Sequence, residues 1–422
     1  MTNSAENETK TTDDSVSSGP GNQRSFGALR HRDFVLFWLG FFISTTGSWV
    51  QGLAQGWLVY ELTGSKLYLG VVSAVSTLPF LFLSLPCGVI ADRFSKRKIT
   101  IITQTLAMVH AFALAALVFS GVIKVWHIIA LSAYGGIIAV IDVPARQAMT
   151  SELVKREDLL NAVALNSSAF NAARIVGPAI AGIVVAVHGT AMCFLINGIS
   201  YIAVLISLFM IHPKSVKVEC NGESMLAQMR EGLHYSRKNV LIRDLLALTA
   251  IASIFGLNYA TLMPAFARDV LKVGPEGLGV LMSAAGLGAL VAAIAIAGLG
   301  HMFRRGAIVT VGSMLAPLGL IALSLSNSYF LSITWVVFIG FGMMLFLAVS
   351  NSIMQYTSPD ELRGRVLSLR NIVFGGLVPI GSLQVATLAH YLGVKVSIFI
   401  GGAIWLVAAI YFAICSRAIQ DA

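Results

Sequence analysis

The sequence predicts an all-α membrane protein, with twelve transmembrane helices arranged as two six-helix bundles. Three observations lead there. Of the 422 residues, 56% are hydrophobic and only 12% are charged, with a mean hydropathy of +0.80. The apolar residues fall in long unbroken runs rather than in the alternation that a barrel strand would need. The runs also divide six and six around a polar insert.

The chain opens on residues 1–25, rich in Ser, Thr, Asn, Asp and Glu. So little apolar surface cannot offset the entropy of ordering, and a disordered tail is expected. It does not read as a signal peptide, which would place a basic segment before a short apolar core. Within residues 26–211, apolar runs follow at 35–58, 67–91, 99–121, 125–145, 162–187 and 191–211. Each approaches or exceeds the about 20 residues that cross roughly 30 Å of hydrocarbon with every backbone hydrogen bond closed inside the segment. Residues 212–244, with clustered charges and an Asn221-Gly222 turn signal, read as a linker, in which 225–239 is expected to form a short amphipathic helix. The second six occupy residues 245–422, with runs at 245–267, 278–300, 307–325, 329–354, 366–389 and 394–415.

Basic residues orient the bundles. With an even number of spans, the side carrying both termini takes most of the cations, and the other side takes only Lys66, Lys124, Arg268, Lys272 and Lys395. By the positive-inside rule both termini are cytoplasmic. The net charge of +9 follows from this asymmetry and does not point to nucleic acid. Cys87, Cys193 and Cys415 lie in apolar runs and Cys220 in the linker, without metal-ligand spacing. There is no nucleotide-binding loop of G-x-x-x-x-G-K-S/T type, so transport would run on an ion gradient or downhill. No cofactor, metal site or enzymatic activity is expected.

The most specific segment runs from Gly88 through Asp92, Arg93, Lys96 and Arg97 to Lys98, between the second and third runs. It resembles the G-x-x-x-D-R-x-G-R-K loop of the major facilitator superfamily, departing from it at Ser95. Arg30-His31-Arg32-Asp33-Phe34, the stretch from Ala54 to Gly64, Asp142 to Ala148, and Ala173 to Gly182 are similar to the drug:proton antiporter branch that holds macrolide efflux proteins and the enterobactin exporter. The resemblance covers nearly the whole chain and implies the major facilitator fold. It also implies that Asp92 caps the start of the eleventh helix, that Lys96 reaches Asp142 on the fourth helix with Arg146 a turn further on, and that this cluster with Arg93 and Arg97 gates the cytoplasmic side. Gly177-Pro178 resembles the branch's fifth-helix signature, associated with export; Gly375, Pro379 and Gly381 recur in the eleventh run. A plain packing kink is the other reading.

Arg174 lies half-way along the fifth run, one turn after Asn171. An arginine at the bilayer centre costs roughly 2.5 to 3.5 kcal/mol on insertion scales, so it should face protein or a wet cavity. Two readings stand: an anion or carbonyl contact for substrate, and a structural tie to backbone carbonyls. Ser44, Ser48, Gln51 and Gln55 recur at helical spacing in the first run, a polar stripe that should line a cavity, the favoured reading, or bind another helix. Asn258, Tyr259, Asn351 and Gln355 are the further pathway candidates, with Asn371 and Gln384 on the eleventh run. For the proton the candidates are Asp33, Glu61 and His110, the last because an unperturbed imidazole titrates near neutrality.

Together these features imply an efflux permease of the bacterial inner membrane, monomeric, exchanging a small organic molecule for protons by alternating access. Two other classes fit less well: a lysophospholipid flippase on the same fold, which would want a lateral opening and a basic headgroup site, and a non-transporting receptor or scaffold, against which the short loops argue.

Overall fold

The computed structural model describes residues 27–211 and 225–420, without the side chains of residues 84–93, 225–229 and 301. The expected tail and the first part of the linker lie outside the described residues, as do the side chains of Asp92 and Arg93.

Among the described residues twelve helices are long and apolar enough to cross a membrane. In chain order they are α1 (Arg32–Thr63), α2 (Lys66–Arg93), α3 (Lys96–Phe119), α4 (Val125–Leu153), α5 (Leu159–His188) and α6 (Thr190–Met210), then α7 (Val240–Val270), α8 (Pro275–Leu299), α9 (Arg305–Leu325), α10 (Tyr329–Thr357), α11 (Asp360–Leu392) and α12 (Val394–Cys415). A separate helix, Met225–Lys238, precedes α7. Among the described residues there is no strand.

Several helices outrun the apolar runs that announce them, because backbone pairing and caps end a helix rather than hydropathy. The linker stops at Asn239 and not at Asp244: the Asn239 side chain accepts a 3.1 Å hydrogen bond from the Ile242 amide and caps α7. Asp244 is then drawn inside the helix, where Arg243 pairs with it at 3.0 Å. α4 continues past residue 145 to Leu153 with Pro144 inside it. Short connections end on left-handed glycines, as at Gly64 (φ 60°) after α1 and Gly121 (φ 72°) after α3.

Two helices are broken. α7 carries π-helical turns at Ala252–Gly256 and Phe266–Val270, and α11 is interrupted at Leu377, just before Pro379. The π turns insert a residue and offset everything beyond them. Pro379 removes a ladder donor, and the interruption falls there.

With twelve successive spans, the start of α1 and the end of α12 lie at one end of the bundle axis, called here the terminal end; the connections α1–α2, α3–α4, α5–α6, α7–α8, α9–α10 and α11–α12 form the far end. The first six helices pack around one another, with α1 on α6 and α2 on α4, and the second six likewise, with α10 on α8 and α9. Between the bundles the main seams are α5 on α8 and α2 on α11. Phe346 and the fully buried Trp405 meet edge to face at 6.1 Å in the second bundle.

Candidate functional site

The seams close the far half of the molecule. A Cβ on Gly182 would fall 2.8 Å from the Pro275 carbonyl oxygen, and one on Gly279 would fall 2.6 Å from that of Pro178, so only glycine permits α5 and α8 to approach this closely. Towards the mid-plane Ser283 donates a 2.6 Å hydrogen bond to the Ile175 carbonyl. On the opposite seam Gly70 of α2 lies against Ala386 and Ser382 of α11. There the Ser73 and Ser382 hydroxyls lie 2.9 Å apart, and Ser382 donates to Asn258 at 2.8 Å.

At the far end a polar group joins the bundles. Tyr60 of α1 donates to Asp269 of α7 at 2.5 Å, Lys66 at the start of α2 pairs with the same carboxylate at 3.3 Å, and the Arg268 guanidinium lies 5.9 Å from the Tyr60 ring centroid. Asp269 sits in the second π turn of α7. The sequence reading did not select Tyr60 or Asp269; it took Lys66 and Arg268 only as outer cations.

A cavity of about 430 Å³ lies within the first bundle, lined from all six of its helices. Ser44, Thr45, Ser48, Trp49, Gln51 and Gln55 of α1 form one wall. Its polar groups are tied in a network. Gln55 donates to Ser132 at 2.8 Å, Asn197 to Gln51 at 2.7 Å, and the Ser48 and Tyr201 hydroxyls lie 3.3 Å apart. Phe170 meets Trp49 edge to face at 6.0 Å.

The charged residues lining this cavity are Asp142, 6% exposed, and Arg146. Thr103 and Gln104 donate to one of its oxygens at 2.7 and 2.9 Å, and Arg146 stands 3.1 Å from the other. Two hydrogen bonds and one ion pair thus surround this carboxylate. Arg146 in turn lies 4.5 Å from the Phe41 ring centroid. Asp142 is eleven residues from the end of α4, about 16 Å along the axis at 1.5 Å per residue. It is therefore enclosed by the first bundle rather than set at the helix end.

The Lys96 partner is corrected as well. Lys96 pairs with Glu152 at 3.6 Å, both side chains 8% exposed, while Asp142 is held by Arg146. The start of α3 lies beside the last turn of α4, and Glu152 is at that level, nearly three turns beyond Asp142. Arg97 donates instead to the carbonyls of Leu208 and Phe209 at the end of α6.

Of the proposed pathway residues, Ser48, Gln51 and Gln55 line the cavity, whereas Asn171, Arg174, Asn258, Tyr259, Asn351 and Gln355 do not. Asn171 donates to the Ser167 carbonyl of its own helix, and Asn258 is spent on the Ser253 carbonyl and the Ser382 hydroxyl. Gly177 packs on Trp49, and Pro178 is buried at the α5–α8 seam. Arg174 donates to the Ala285 carbonyl of α8 at 3.2 Å. Of the proton candidates, His110 lines the cavity with a buried Nε2 that has no hydrogen-bond partner. Glu61 is exposed near the far end, and Asp33 sits in the first turn of α1.

Comparison with known proteins matches residues 23–422 to the family described as transmembrane secretion effector. The chain is 25% identical to the staphyloferrin A transporter of Staphylococcus aureus, over 85% of this chain and 90% of that protein. It is 22% identical to macrolide efflux protein A of Streptococcus pyogenes, over 89% and 94%, and 26% identical to the enterobactin exporter of Shigella flexneri, over 80% of each. In fold it is similar to a bacterial homologue of the human lysosomal transporter Spinster, with a TM-score of 0.74 at 12% identity over 96% of this chain and 99% of the other. A family match across nearly the whole length, on a fold of twelve spans in two sixes, places this chain in the transmembrane secretion effector family, within the efflux transporters of the major facilitator superfamily.

Proposed function

We propose that the protein exports a small organic molecule across the bacterial inner membrane in exchange for protons, by alternating access, with both termini cytoplasmic and the monomer as the working unit. The observation that carries this is the pairing of a closed far half with a polar cavity that holds one interior acid. In this reading the far end faces outward and is shut, and substrate enters from the terminal side. The relatives' names, which speak of staphyloferrin A, a macrolide and enterobactin, support a small organic molecule as cargo.

Asp142 is the coupling acid in this scheme, ahead of Asp33, Glu61 and His110. Thr103, Gln104 and Arg146 surround its carboxylate. A change in the pose of α4 against α3 rearranges those contacts. Alternation between the two poses then exchanges proton for cargo. Asp92, Arg93, Lys96, Arg97 and Arg146 remain the proposed terminal-end gate, with Glu152 added as the acid that Lys96 holds in the present pose.

Inside-out membrane vesicles test the scheme. Uptake of a macrolide or a siderophore should rise several-fold when the vesicle lumen is made acidic and collapse with a protonophore. Uptake indifferent to the gradient would remove the proton, and no uptake of either class above vesicles lacking the protein would remove the export reading.

A further inference from the structure

The first turn of α7 and the last turn of α12 meet at the terminal end of the second bundle, where the two helices pack together. Between them lies another cavity, of about 330 Å³. Arg243 and Asp244 line it from α7, Tyr411 and Cys415 from α12, and Ser416 and Arg417 from the segment that follows α12. It shares no residue with the cavity of the first bundle.

The charges around it do not cancel. Arg243 sets Nε and Nη2 against one Asp244 oxygen, at 3.1 and 3.0 Å, so the carboxylate lining this cavity is already taken. Arg243 retains its Nη1 without a partner among the described residues, and the exposed Arg417 has no carboxylate partner there. Two cations against one carboxylate leave one positive charge over. Ser416 adds a polar group in search of a partner: it is 4% exposed, and its buried hydroxyl has no hydrogen-bond partner. A buried hydroxyl left unpaired is unfavourable, and its hydrogen can turn to an acceptor that enters.

An apolar face runs up to the cavity along α12. Val407, Ile410, Tyr411 and Ile414 are exposed at the spacing of one helix face, and Tyr411 belongs both to that face and to the cavity wall. On a helix that spans a membrane, such a face meets acyl chains. A molecule that satisfies cavity and face together carries an anionic, oxygen-rich head and apolar tails.

We propose that this cavity binds the headgroup of an anionic phospholipid. Arg417, the remaining donors of Arg243 and the Ser416 hydroxyl hold the phosphate oxygens, and the acyl chains lie along the exposed face of α12. Guanidinium forks match phosphate geometry, and basic pockets between spanning helices recognise such headgroups. A zwitterionic headgroup brings an ammonium as well, for which the described lining offers no free carboxylate. A lipid bound there ties the first helix of the second bundle to the last. The proposal rests on α7 and α12 being spans and holds whether or not the protein exports.

Native mass spectrometry of the full chain in mild detergent, titrated with phosphatidylglycerol or with phosphatidylcholine of the same acyl chains, tests this. The first phosphatidylglycerol should bind about tenfold more tightly than the first phosphatidylcholine, and Arg417→Gln should remove most of that preference, as loss of charged hydrogen bonds predicts. Arg417→Lys, which keeps the charge, should lose less, and Ser416→Ala should weaken phosphatidylglycerol binding about threefold. Arg304→Gln removes an exposed cation at the start of α9, at the same end but outside the cavity, and should leave the preference as it is. No preference for phosphatidylglycerol in the wild type, a preference intact in Arg417→Gln, or one lowered equally by Arg304→Gln overturns the proposal. Inorganic phosphate and glycerophosphoglycerol, the headgroup without tails, separate a lipid from a soluble phosphate: displacement of the bound lipid by either at millimolar concentration overturns the lipid assignment, and retention supports it.

Discussion

Tyr60 and Asp269 are 209 residues apart in sequence and 2.5 Å apart in space, and their hydrogen bond crosses from one six-helix bundle to the other. Rocking the bundles apart at the far end must break it, together with the ion pair from Lys66.

Tyr60→Phe is expected to raise the population open at the far end. The hydrogen bond goes to a charged acceptor but is partly exposed, so about 1 kcal/mol is at stake, roughly fivefold in the equilibrium. Spin-label distances between the far ends of α1 and α7 report it; an unchanged distribution would show that the bond follows closure without favouring it.

Asp142→Asn should uncouple transport from the pH gradient. The amide keeps the oxygen that Thr103 uses but leaves Arg146 without its countercharge. Gradient-driven accumulation should fall by at least about tenfold, with substrate exchange across vesicles retained. Accumulation that still follows the gradient would move the coupling elsewhere.

Lys96 and Glu152 form a buried pair, so removing one partner strands a charge. Lys96→Met alone should cost about 3 to 5 kcal/mol, whereas Lys96→Met with Glu152→Leu should return close to wild type. Thermal unfolding in detergent of the two singles and the double measures the cycle; additive losses would mean the two residues do not interact.

Gly279→Ala puts a methyl group 2.6 Å from the Pro178 carbonyl oxygen and 3.0 Å from the Gly182 Cα. Overpacking of this kind costs about 1 to 3 kcal/mol. Because the strain exists only while α5 and α8 are together, the far end should open and the terminal end close. A cysteine pair across the α5–α8 seam should then crosslink several-fold more slowly than it does with Gly279 present.

The twelve spans were legible because hydrocarbon imposes a length and a composition that the sequence must display, and residue by residue the runs show both. Helix ends were less so. The fourth apolar run stops at residue 145, yet the backbone helix continues to Leu153, where Glu152 pairs with Lys96 of α3. The polar face of α1 could be read from its spacing alone, since Ser44, Ser48, Gln51 and Gln55 repeat with the turn. Contacts between the bundles had no such signature: Tyr60 and Asp269 meet through two π turns and a bundle interface, neither of which has a period in the sequence.

The far-end tie has an environmental consequence. Lys66 and Asp269 are 26% and 37% exposed, so their attraction is open to screening by the medium at that end. The Debye length falls from about 8 Å at physiological ionic strength to about 3 Å at 1 M. Dissolved salt on that side alone should therefore loosen the tie, and turnover in vesicles should depend on which compartment is made saline. A carrier built this way responds to the osmotic and ionic history of its surroundings through a contact that never touches its cargo.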